Sequence, residues 1–200
     1  MMGKAPLPAD SGDAHRNWAL LQAARTVSDQ LDVITLPHPP VPGEAEGRAE
    51  LAGFCDTTVV VGQPIGEILG DPVNRALTVA GRPYFHAAGN RSDVRRAVRG
   101  LTTGTNYDLI VLSQLYLASA LPDDLLARTV YDTHNVHHLR LAEAMERTRV
   151  PAPLRGRVLA RVRRQEARLM DRVAVTIACS DTDAAGLREM SPAARIETIA

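Results

Sequence analysis

Two hundred residues, 45% hydrophobic and 23% charged, suffice for one sizeable core, so a single domain spanning 1–200 is expected. Lys+Arg and Asp+Glu stand at 23 each, which argues against a charge field that gathers nucleic acid or anionic membrane and favours a small or uncharged partner. Cys55 and Cys179 are too few for a disulfide scaffold, and neither an apolar leader nor an 18-residue apolar run occurs, so a cytoplasmic protein without signal peptide or membrane span is expected.

Short β-branched runs alternate with helix-period segments, the pattern of βα units. The expected fold class is α/β, a Rossmann-like parallel sheet flanked by helices. In chain order, the loop "PLPADSGDAHR" (Pro6 to Arg16) leads into a helix at about Asp13 to Ser28, followed by a strand at Leu31 to Leu36. A proline-rich connection, Pro37 to Gly47, precedes a strand at Thr57 to Val61 and a second loop at Gly62 to Pro72. A helix at Ser92 to Leu101, a strand at Tyr107 to Ser113 and a helix at Leu115 to Ala120 come next. Then follow a strand at Arg128 to Asp132 and helices at Val136 to Arg147 and Pro153 to Arg172. A strand at Val173 to Ser180, a helix at Asp181 to Met190 and the strand-like "ARIETIA" close the chain.

Ser180 with Asp183 resembles a capping box at the start of the last helix. In the long helix, Leu154, Val158, Val162, Leu169 and Val173 keep one face apolar. Arg155, Arg157, Arg161, Arg164, Arg168 and Arg172 cover the remainder, interleaved with Glu166 and Asp171. This reads as a solvated helix face, with membrane contact at most peripheral.

Two stretches could carry chemistry. Ser11, Gly12 and Asp13 lie where a loop enters a helix, a place that suits an anionic or phosphorylated ligand; capping by Ser11 or Asp13 is the plainer alternative. The second stretch is "VYDTHNVHHLR" (Val130 to Arg140), which follows a strand and so puts His134 and Asn135 in the crevice where parallel sheets collect ligands. His134, His137 and His138 have spacing that can share a helical side, but no H-E-x-x-H pattern and no nearby cysteine or carboxylate cluster supports a metal, and none is expected. No G-x-S-x-G elbow, P-loop or G-x-G-x-x-G fingerprint occurs.

The ordered segments "PLPADSGDAHRNWALLQAA", "YDLIVLS", "VYDTHNVHHLRLAEAME", "EARLMDRVAVTIACSDTDAAGLRE" and "ARIETIA" resemble the N-terminal domain of glycosyltransferase family 4, in the GT-B superfamily. The resemblance covers nearly the whole chain. It implies one half of a two-domain architecture, in which this half binds mainly the acceptor and the second half mainly the nucleotide sugar. Ser11, Gly12 and Asp13 would lie on the side of the donor diphosphate, His134 would approach the transferred sugar as the catalytic residue, and Arg16, Asp132 and Asn135 would contact substrate. His137 and His138 receive no role.

The implied activity is transfer of a sugar from a nucleotide-sugar donor to a lipid, polysaccharide or small-molecule acceptor, with retention and without metal or other cofactor. Three departures stand out. Gly12 is followed by Asp13 where the family has a glycine pair, the first strand is short or missing, and the chain stops where the hinge to a C-terminal donor domain would begin. A fragment with little or no activity unless that domain is supplied in cis or in trans is therefore expected. The alternatives are a non-catalytic α/β binding or partner module and a small metal-dependent hydrolase built on His134, His137 and His138.

Overall fold

The apolar strand runs assemble, in a computed structural model, into parallel sheets flanked by helices; the structure describes residues 1–2, 5–9, 11–37, 42–61, 92–147 and 152–199. β1 (Asp32–Thr35) pairs with β2 (Thr57–Val60), and β3 (Ile110–Leu112), β4 (Thr129–Thr133), β5 (Val175–Ala178) and β6 (Ile196–Thr198) form a four-stranded sheet in that order, every pair parallel. The α/β class expected from the alternation is the class observed.

Met1 and Met2 join the two sheets. The Met2 amide donates to the Ile34 carbonyl at 2.9 Å and the Leu36 amide to the Met2 carbonyl at 3.4 Å. On the other side the Ser113 amide donates to the Met1 carbonyl at 3.0 Å, and the Met1 amino group to the Val111 carbonyl. Two residues thus occupy the line of a central strand between β1 and β3.

β1 is buried along most of its length, as a strand covered on both faces must be. Its neighbours Val33 and Ile34 point to opposite faces. Val33 joins Met2, Leu7, Leu21 and Leu51 in one core, whereas Ile34 joins Val98, Leu112, Tyr131 and Leu187 in the larger one.

Helix starts follow local capping chemistry. α1 (Gly12–Val27) begins at Ser11, an extended residue whose Oγ accepts from the Ala14 amide at 3.4 Å. α6 (Asp181–Met190) begins at Ser180, whose Oγ accepts from the Asp183 amide at 3.1 Å and donates to its carboxylate at 2.7 Å.

Several boundaries differ from the sequence expectation. The proline-rich connection gives way at Glu44 to a helix, α2 (Glu44–Phe54), entered through Gly43 at φ 79°. α2 lies against the loop before α1 so closely that a Cβ on Gly47 would stand 2.8 Å from the Pro8 nitrogen. Gly62 to Pro72 lies outside the described residues. α3 (Ser92–Thr102) matches its pattern, but Leu115–Ala120 is a 3-10 helix, followed by another at Asp123–Arg128. α4 (His137–Arg147) opens on the histidine pair, and α5 (Ala152–Met170) stops short of Arg172.

The largest correction concerns Glu166. Expected among the arginines of the solvated face, it is fully buried with Val158, Val162 and Leu169 on the core face of α5. Among the described residues no helix is long and apolar enough to cross a membrane.

Candidate functional site

β4 ends inside the molecule and delivers Asp132, whose side chain is wholly covered, to the carboxyl edge of the sheet. Arg16, in the second turn of α1, meets it with a forked contact: Nε lies 3.1 Å from each carboxylate oxygen and Nη2 2.7 Å from Oδ1. Nη1 of the same guanidinium donates to the Ile199 carbonyl at 2.9 Å, so one side chain ties α1 to the ends of β4 and β6.

His134 lies one residue past β4, in a turn closed by the Thr133 hydroxyl donating to the Asn135 carbonyl at 2.5 Å. Its Nε2 stands 3.2 Å from Asp132 Oδ2 and its Nδ1 3.3 Å from Asp13 Oδ1. The distances are those of ion pairs, but neither ring nitrogen meets the angles of a hydrogen bond, so charge attraction is the better description of both contacts.

Burial alone would lower the His134 pKa. The carboxylates of Asp13 and Asp132 outweigh it and push the value up to about 9, which leaves a protonated imidazolium at neutral pH. For Asp132, burial pulls upward, but His134 and Arg16 together hold its carboxyl below the usual range. Two cations thus face two anions: Arg16 and His134 against Asp132 and Asp13.

The cluster is closed at one end and open at the other. The His134 side chain is 4% exposed, but Asp13 is 50% exposed, so Nδ1 is the edge an incoming oxygen can reach by displacing that half-exposed carboxylate. A Cβ added to Gly12 would meet nothing within 4 Å, which leaves the first turn of α1 open beside Asp13. A cation seeking the Asp132 oxygens would first have to displace the Arg16 guanidinium.

All seven sequence candidates occupy this edge, but not equally. Asp13, Arg16, Asp132 and His134 touch one another; Ser11 caps α1; Gly12 supplies an open surface; Asn135 contributes its carbonyl to the turn. The carboxylate of Asp13 is turned toward His134.

Two participants escaped the sequence reading. Cys179, at the end of β5, donates its thiol to the Thr133 carbonyl at 3.4 Å, and burial pushes its pKa up against the pull of Arg16, so it stays a thiol at neutral pH. Glu166 accepts from the Tyr131 hydroxyl at 3.2 Å and from the His137 amide at 3.4 Å, while His138 Nδ1 lies 3.8 Å from its other oxygen. The opening turn of α4 therefore rests on Glu166. Burial lowers the His137 pKa against the opposing charge of Glu166. No group of three or more His, Cys, Asp or Glu side chains in metal-holding geometry occurs among the described residues.

At the opposite, amino-terminal edge of the sheet lies a cavity of about 130 Å³, lined largely by apolar side chains. Its floor carries Tyr107, whose hydroxyl donates to Asp32, and Gln30, whose amide donates to the same carboxylate at 2.7 Å. Comparison with family models, curated proteins and solved structures gives no match to this chain.

Proposed function

We propose that this chain is the acceptor-side domain of a glycosyltransferase, moving a sugar with retention from a nucleotide-sugar donor to a lipid, polysaccharide or small-molecule acceptor. A second Rossmann-like domain, in cis or in trans, holds most of the nucleotide. The observation that carries this reading is the convergence of Asp13, Arg16, Asp132 and His134 beside the open start of α1, at the edge where parallel sheets collect ligands.

In this reading His134 works as a cation. With its pKa up at about 9 it is a poor general base, but it can donate to a sugar hydroxyl or stabilise negative charge at the reacting centre once a substrate oxygen replaces Asp13. Asp132 and Arg16 hold the imidazolium in place, and Asn135 lies beside the sugar. Ser11 and Gly12 face the donor diphosphate, where the positive end of α1 adds a favourable field. The donor is a substrate, no further cofactor enters, and the protein works in the cytoplasm with at most peripheral membrane contact.

The test is nucleoside diphosphate release from a panel of nucleotide sugars by the complete gene product that contains this chain, alongside His134→Ala. Turnover that falls about 100-fold or more in the variant is the expected outcome. If no donor is consumed with any of the three acceptor classes, the reading fails.

One observation favours a second reading, a non-catalytic α/β module. His134 is almost fully covered and paired at both nitrogens, as a structural clasp between α1 and the sheet would be. Under that reading His134→Ala lowers stability and leaves any turnover of the complete protein unchanged.

A further inference from the structure

The segment that carries Asp132, His134 and Asn135 is pinned at both ends to one buried carboxylate. Tyr131, the β4 residue just ahead of it, donates its hydroxyl to Glu166 Oε1 at 3.2 Å, and His137, the first residue of α4 after it, donates its backbone amide to the same oxygen at 3.4 Å. Glu166 belongs to α5, and both it and Tyr131 are fully covered.

The local sequence leaves a vacancy that this carboxylate fills. The Val136 carbonyl accepts from the Leu139 and Arg140 amides at 3.1 and 3.2 Å, so Val136 stands at the cap position of α4. A valine side chain has no oxygen to offer the amides of a first turn. Glu166 supplies one from another helix, an anion at the positive end of α4. Core packing gives no reason for its presence: a carboxylate among Val162, Leu169 and Met170 is costly to bury, and an apolar residue of similar volume is often as stable or more so in such a place.

What the carboxylate holds is the backbone around His134. Neither ring nitrogen of His134 meets hydrogen-bond angles with Asp13 or Asp132, so the path of the turn decides where the ring stands. Ahead of His134 that path is tied down by the pairing of Thr133 with Ala178 and by Arg16 on Asp132. After His134 it is Glu166 that takes the His137 amide.

We infer that Glu166 is a positioning residue: from α5 it holds the first turn of α4, and through that turn it keeps His134 within reach of Asp13 and Asp132. Its bearing on sugar transfer rests on the function proposed above, whereas its bearing on His134 does not.

The experiment is titration of the His134 ring by nuclear magnetic resonance in the complete gene product and its Glu166→Leu, Glu166→Gln and Tyr131→Phe variants. Glu166→Leu removes the acceptor, whereas Glu166→Gln removes the charge and keeps an acceptor, which separates position from field. The His134 value of about 9 should fall toward 6.5 in Glu166→Leu and stay in Glu166→Gln, with a smaller fall in Tyr131→Phe, which removes one of the two donors. A folded Glu166→Leu protein that keeps the value overturns the inference, as does a Glu166→Gln protein in which it falls as far. Should Glu166→Leu not fold, an unchanged value in Tyr131→Phe overturns it. Where the wild type consumes a nucleotide sugar, kcat should drop about tenfold or more in Glu166→Leu and recover in Glu166→Gln, and an unchanged kcat in the former also overturns it. A wild type without turnover counts against the glycosyltransferase reading alone, and the titration then decides the role of Glu166.

Discussion

The carboxyl and amino ends of one sheet solve opposite problems in this molecule. At the carboxyl end, four charged side chains from two distant parts of the chain neutralise one another, and the covered pair, Asp132 and His134, depends on the others to be tolerable there. At the amino end, largely apolar walls line a partly open space that nothing in the described residues fills. The first region is held by pairing and is costly to break. The second is held by its surroundings and should be easy to improve.

Removing Asp132 is the most severe way to break that contrast. Asp132→Ala leaves Arg16 and His134 facing each other without their shared carboxylate, and a loss of about 3–5 kcal/mol in urea unfolding is expected. A loss below about 1 kcal/mol would mean that the cluster is solvated like an ordinary surface pair.

A pH series sharpens the same point. The His134 value is raised from 6.5 to about 9, so its contribution is complete below pH 6.5 and disappears as pH rises through 9. That contribution is on the order of 3 kcal/mol, and it is the same attraction already counted at Asp132 rather than an addition to it. Thermal melts from pH 6 to 9.5 should fall for the wild type relative to His134→Gln. A constant difference between the two across this range would contradict the charged pairing. At the acid end, the depressed Asp132 value works in the other direction, with stability lost as pH drops below the usual carboxylate range.

The smallest effect belongs to the amino end. Ala24→Leu adds apolar volume to the cavity wall, and a gain of roughly 0.5–1 kcal/mol in the same unfolding assay is expected. Destabilisation there would mean that the walls had already closed on the space and that the two ends differ less than their geometry suggests.

Much of the architecture was legible in local pattern. The β-branched runs at Asp32, Thr57, Thr129 and Val175 became strands because β-branched side chains suit the pleated, packed backbone of a sheet, and Ser11 and Ser180 became caps because their side chains meet orphan amides. α2 was hidden because its sequence, "EAEGRAELAGF", contains two glycines and only two large apolar residues, Leu51 and Phe54; a left-handed Gly43 and the packing of Gly47 against Pro8 establish it instead. Glu166 was misread as a surface charge because composition outweighed phase. Counted in helical steps it sits four residues after Val162 and three before Leu169, on the face that points inward.

The candidate site divides along the same line. His134 and Asn135 could be singled out because a strand end followed by polar residues marks the ligand edge of a parallel sheet. Their partners could not be read from spacing, since Arg16 and Asp132 lie 116 positions apart and meet only when α1 packs on the sheet. By itself the sequence determined the α/β alternation, the helix caps and the identity of the carboxyl-edge residues, all properties set by neighbours a few positions away. Only the tertiary structure decided that Asp13 would pair with His134, that Glu166 would lie under the turn, and that Met1 and Met2 would stand in the line of a central strand. Those outcomes depend on which surfaces are excluded from water together, a property of the packed chain rather than of any segment in it.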